Sequence, residues 1–204
     1  MSMKKIFLSA ILAGCAIGFG GTVFLSVENK VLGSLFFTVG LFVVCTMKLH
    51  LYTGKVCYIF QNDKTYLVSI PVIWLGNLVG TGIVAAMVRL SRIAPIAERA
   101  MGMCETKLSD GLLSIFILSV FCNIFIYIGV DGFNNNPHEA GKYISLFFGV
   151  MVFILCGFEH CVANMFYFSV AGAWSAKAFG YLLVMTLGNA VGGVSFPLVR
   201  SLLR

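Results

Sequence analysis

Glu159 and His160 stand side by side in the middle of LFFGVMVFILCGFEHCVANMFYFSVAG, Leu146 to Gly172. A carboxylate and an imidazole inside so long an apolar run are costly, and ionisable groups in such places default to a functional role. They either satisfy one another in a structural network or line a path for something polar. His160 is one of only three histidines in the chain. A neutral imidazole donates one hydrogen bond, and it can take a proton as an anion approaches. An arginine would hold the anion with a permanent charge and release it slowly. Beside a histidine, a weak acid can cross in part as its neutral form. Glu159 sits about 100° round a helix from its neighbour, so it should face another element. Lys107 and the amide of Asn123 are its expected partners, in a helix-to-helix staple, in shaping the local potential, or in both.

A second polar cluster interrupts VCTMKLHLYTGKVCYI, Val44 to Ile59. Thr53 offers a hydroxyl and Gly54 a flexible backbone. Lys48 and His50 are expected to snorkel to an interface. Lys55 either does the same or adds positive potential to a vestibule. Phe37, Leu41, Phe153 and Phe148 are candidates for dry constrictions, which exclude hydrated cations. Asn77 and Asn189, each in a Gly-Asn-x-Val-Gly phrase, read as hydrogen-bonding caps near helix breaks.

These groups need an apolar scaffold, and the chain supplies one. Of its 204 residues 59 % are hydrophobic and 11 % charged, against about 25 % charged in soluble domains. A soluble core of this size cannot hide so much apolar surface. The class is therefore an all-α polytopic membrane protein. The apolar runs are long and continuous, which excludes a β-barrel of alternating segments. The formal charge of +6 then marks interfaces, not nucleic acid. The seven cysteines mostly lie within apolar runs and lack metal-site spacing, so they read as packing residues. No metal or cofactor is expected, and no G-x-x-x-x-G-K-[ST] phrase points to ATP.

Six spans are predicted, at about 6–27, 31–60, 66–90, 111–130, 143–172 and 180–199. The first is too long, and lacks a cleavage signature, for a secretory signal. Its Gly14 and Gly18 share a face that permits close helix contact. Spans two and five run to about 30 residues, beyond the roughly 20 that cross a bilayer. Both are expected to be broken, the fifth near Gly157. Residues 89–110 should include a short amphipathic helix at the interface. GNLVG begins at Gly76 and GNAVG at Gly188, 112 residues apart. That offset lays one broken span on the other, with Lys48 opposite His160. One transmembrane domain, 1–204, thus divides into halves of about 1–100 and 101–204. Three spans per half force opposite orientations, which is the inverted-repeat plan. The breaks expose N–H groups that attract anions. Basic residues do not separate the two sides of the membrane.

At GFEHCVANMFY, LYTGK and the paired GN-x-V-G phrases, the chain resembles the formate/nitrite transporter family over nearly its whole length. The resemblance implies six helices in an aquaporin-like fold, with helices 2 and 5 interrupted, and a homo-pentamer with one pore per protomer. It implies passage of small monovalent anions: formate or nitrite, with hydrosulfide and lactate also in the class, often with proton coupling. His160 looks like the central pore histidine and Thr53 like the threonine of the interrupted second helix. Leu51, Phe37, Leu41 and Phe153 look like constriction residues. Lys107, Asn123 and Glu159 look like the family's central electrostatic set, and Asn164 like the asparagine of the fifth-helix phrase. Gly54, Asn77 and Asn189 would support the breaks. The implied location is a bacterial inner or plasma membrane. The family phrase before the threonine is usually acidic, whereas here it reads His50-Leu51-Tyr52-Thr53-Gly54-Lys55. Alternatives are a neutral-solute channel, disfavoured because paired N-P-A phrases are absent, and an obligate symporter or exchanger. An enzyme is disfavoured because Glu159, His160 and Cys161 are consecutive and cannot converge on one helix face.

Overall fold

The computed structural model describes residues 2–203. Nine α-helices and one 3-10 turn make up the described residues: α1 Met3–Ser26, α2 Lys30–Thr46, α3 Tyr52–Lys55, the 3-10 turn Val56–Gln61, α4 Lys64–Arg89, α5 Ile96–Ser109, α6 Leu112–Asn135, α7 Glu139–Leu155, α8 Cys161–Ala171 and α9 Ala176–Leu202. Four of them, α1, α4, α6 and α9, are long and apolar enough to cross a membrane. The starts follow from the local residue types. Asn29 caps α2 by accepting from the N–H groups of Val31 and Leu32, and Asp63 caps α4 at Tyr66. Ser175 caps α9 at Ala178. Short polar side chains there satisfy N–H groups that a helix cannot pair internally.

The distribution of polarity is inverted relative to a soluble protein. Leu12, Phe19, Phe36, Leu75, Ile83 and Leu187 are exposed, whereas Asn77, Asn123, Asn164, Asn189, Glu159 and His160 are buried. An apolar outer face of this extent is stable only against another apolar phase. Polar groups inside, each able to hydrogen-bond, then hold the helices together where hydrophobicity cannot.

Close packing runs through glycine. α1 lies along α4, and α6 along α9. A Cβ on Gly80 would strike the Ile11 carbonyl, and one on Gly192 the Val120 carbonyl. Gly14 similarly meets the Asn77 backbone. The glycines of the two Gly-Asn phrases therefore bring helix axes together, and the asparagine between them faces inward.

Both long apolar segments are broken. α2 ends at Thr46 and α3 starts at Tyr52; α7 ends at Leu155 and α8 starts at Cys161. Each first half ends in the same way. Lys48 and Gly157 take left-handed backbone, φ 54° and 71°. The next residue then turns back, Leu49 N–H to the Val44 carbonyl and Phe158 N–H to the Phe153 carbonyl. This is the αL helix stop. Glycine adopts it freely in the second break, whereas Lys48 bears its steric cost in the first. Gly54, expected to support the first break, lies inside α3 and does not take a positive φ.

The correspondence between breaks corrects the register expected from the Gly-Asn phrases. Lys48 matches Gly157, not His160, and the residue matching His160 is Leu51. The breaks are 109 residues apart and the asparagines 112. The three extra residues fall between break and asparagine: α8 is one residue longer than α3 with its 3-10 turn, and the connection before α9 is two residues longer than that before α4.

Candidate functional site

Each break is held by one asparagine. Asn77 Oδ1 accepts the Tyr52 N–H at 2.8 Å, while its amide donates to the Ala10 and His50 carbonyls at 2.8 and 3.0 Å. Asn189 Oδ1 accepts the Cys161 N–H at 2.8 Å, and its amide donates to the Ser119 and Glu159 carbonyls, both at 2.8 Å. A single side chain thus occupies one free N–H and one carbonyl at each break and ties both to a carbonyl of a neighbouring long helix. These asparagines are therefore caps, and the N–H groups they occupy are not left to attract a solute. Asn189→Ala would strand two buried backbone groups of the break, the Cys161 N–H and the Glu159 carbonyl, at about 1–3 kcal/mol each. The expected result is a loss of several kcal/mol, read as a fall in the melting temperature of detergent-solubilised protein; an unchanged melting temperature would refute the capping role.

The second break delivers His160 as the N-cap of α8. Its Nδ1 accepts the Ala163 N–H at 3.0 Å, and its Nε2 lies 2.9 Å from Thr53 Oγ1. With Nδ1 accepting, the ring proton is on Nε2 and is donated to Thr53. The Thr53 hydroxyl hydrogen has no acceptor among the described residues and remains to be donated. Both side chains are buried. Phe153 stacks on the His160 ring, with centroids 5.6 Å apart and planes at 17°. Phe37 meets Phe153 edge to face at 6.1 Å.

Two cavities approach this contact. One of about 420 Å³ is lined by Phe37, Phe153, His160, Asn164, Glu159, Lys107, Lys30 and Arg99, among others. The other, of about 260 Å³, is lined by Leu41, Leu51, Gly54, Lys48, Lys55 and their neighbours. Each holds several waters at about 30 Å³ apiece. Phe37 and Leu41 are one turn apart on α2, so the first cavity ends on one and the second on the other. Thr53, bonded to His160 of the first cavity, lines neither and is flanked in the chain by Leu51 and Gly54 of the second. Phe148, expected among the constriction residues, is 64 % exposed and takes no part.

Charge is concentrated in the larger cavity. Lys107 donates to both oxygens of Glu159 at 2.8 and 2.6 Å. Asn164 donates to Glu159 Oε2 at 2.8 Å and to the His160 carbonyl at 3.0 Å. The third member of the network is thus Asn164. Asn123, expected there, instead donates to the Thr53 and Asn189 carbonyls at 3.1 and 2.7 Å, behind the contact. Asn164 reaches Glu159 because α8 starts between them and its first turn folds the side chain back over the cap. Lys107 belongs to α5, not to the following long helix.

Three features escaped the sequence reading. Lys30 donates to the Leu155 carbonyl at 3.0 Å, and Arg99 to the Leu25 and Val27 carbonyls at 3.1 and 2.6 Å. Both cations close helix C-termini, where they are favoured, and both line the larger cavity. Their signal was the end of an apolar run, but their partners are distant in sequence. The third is the anchor of His50, whose Nδ1 lies 2.8 Å from Ser9 Oγ.

The chain matches the family model described as formate/nitrite transporter over residues 1–202. It is 26 % identical over 183 residues to the uncharacterized transporter YrhG of Bacillus subtilis, covering 82 % of this chain and 69 % of that one. To the nitrite transporter NirC of Escherichia coli it is 25 % identical over 215 residues, with 93 % and 80 % covered. Among solved structures it is similar to a pentameric formate channel with formate bound, with a TM-score of 0.85, 26 % identity, and 98 % of this chain and 96 % of that one covered. These relatives and neighbours are channels and transporters, not enzymes.

Proposed function

Because the chain belongs to the formate/nitrite transporter family, its model matching residues 1–202, we propose that it passes small monovalent anions, formate or nitrite first and hydrosulfide within the same class, through the Thr53–His160 contact. The observation that carries this reading is the placement of that contact between two cavities, each bearing more cations than anions. Lys30, Arg99 and Lys107 outnumber Glu159 in one, and Lys48 and Lys55 line the other with no carboxylate. Net positive walls in a low-dielectric setting raise the local concentration of anions and repel cations. Phe37, Phe153, Leu41 and Leu51 then form dry rings on either side, which a neutral acid crosses at lower cost than its anion. Proton transfer at His160 would supply that neutral form.

The path is built from two inverted halves of three spans each, joined through α5, in an aquaporin-like arrangement. The matched breaks, helix stops and asparagine caps support this. A homo-pentamer in the cell membrane, each protomer with its own pore, extends the reading from the formate channel. The test is flux of formate, nitrite, hydrosulfide, lactate and chloride into proteoliposomes. Formate and nitrite uptake well above that of protein-free vesicles is expected; uptake of none of the five would overturn the proposal.

A further inference from the structure

The smaller cavity differs from the larger in one respect: its cations have neither an ion-pair nor a hydrogen-bond partner among the described residues. In the larger cavity Lys107 is neutralised by Glu159, and Lys30 and Arg99 are engaged by backbone carbonyls. Lys48 and Lys55 have no acceptor for their ammonium groups among the described residues, and neither takes part in a salt bridge. Lys55 is partly buried and belongs to α3, two residues beyond Thr53. Lys48 is held at the rim by the left-handed turn that stops α2. A partly desolvated ammonium without a partner is costly and is relieved by an anion. The inner end of the cavity is closed by Leu41 and Leu51, each 1 % exposed.

The geometry points to an anion-loading site in this cavity, in which Lys55 and Lys48 hold a small monovalent carboxylate or oxyanion immediately before the Leu41–Leu51 constriction. The site deepens the transport reading and rests on it for its purpose, though not for its binding. It makes the two entrances unlike: one presents cations already engaged by a carboxylate or by helix-end carbonyls, the other a pair without partners. Entry from the lysine side should therefore saturate at lower anion concentration.

Cys45 lines the same cavity and reports on it without any transport measurement. In protein carrying Cys15→Ala and Cys156→Ser, Cys45 is reacted with a methanethiosulfonate bearing either a sulfonate or a trimethylammonium group. The anionic reagent is expected to react faster by about tenfold, as a focused positive potential implies. Formate at constant ionic strength should slow it, and Lys55→Gln with Lys48→Gln should remove most of the preference. Equal rates for the two reagents, a Cys45 unreactive to both, or a preference unchanged in the double variant would overturn the site. Flux in proteoliposomes is scored separately. Absent formate flux with the charge preference intact would sink the transport reading and leave the binding site standing.

Discussion

His160→Asn is expected to remove the pH dependence of formate and nitrite flux between pH 5 and 8, and to slow transport by about tenfold or more, the scale of a lost proton-transfer group. The substitution is chosen for what it keeps. An asparagine at the start of α8 can still accept the Ala163 N–H, because Asn is among the best N-caps. The helix start therefore survives, and Asn189 still holds the Cys161 N–H. What disappears is the ring nitrogen 2.9 Å from Thr53 and with it any group able to exchange a proton at that point. The wild-type ring carries a second constraint. To become an imidazolium it must donate from both nitrogens, so Nδ1 must release the Ala163 N–H that it accepts now. Proton uptake is thereby coupled to the first turn of α8. A flux–pH curve for the variant that overlays the wild-type curve would show that protons are handled elsewhere.

Much of this arrangement is legible in the chain because its signals are local. Apolar runs too long for one crossing announced the breaks, and a histidine beside a glutamate marked one of them. The paired Gly-Asn phrases pointed to the asparagine caps, since a helix start needs an acceptor and the inner face of each phrase supplies one. What was not legible depended on length and on distant partners. The 112-residue spacing of the phrases does not carry over to the breaks, because α8 is one residue longer than α3 with its 3-10 turn and the connection after it two residues longer, so the register slips by three. That slip exchanges Lys48 for Leu51 as the counterpart of His160. It also changes the meaning of the site, since one break presents an imidazole where the other presents an apolar stopper. Asn123 and Asn164 are both buried amides near the centre. Only the direction of each side chain decides which one meets Glu159, and spacing along the chain does not give that direction.

A large stability effect is also expected at Lys107. Among the described residues its ammonium is the only cation bonded to Glu159, a carboxylate 3 % exposed. Lys107→Met leaves that carboxylate with the Asn164 amide alone. Removing one partner of a buried ion pair costs about 3–5 kcal/mol, because the remaining charge is stranded. The double variant Lys107→Met with Glu159→Gln leaves no charge to strand, and Gln can still accept from Asn164. It should recover most of the lost stability, so thermal unfolding in detergent is expected to rank wild type and double variant together, well above the single variant. The same pair separates stability from transport. If the network also sets the potential in the larger cavity, the double variant will fold yet show altered anion flux, since it loses Lys107 at a wall where Lys30 and Arg99 are tied to helix ends. If the double variant were no more stable than Lys107→Met, the network would be holding the helices through something other than charge pairing, and the staple between α5 and the second break would have to be reassigned to packing.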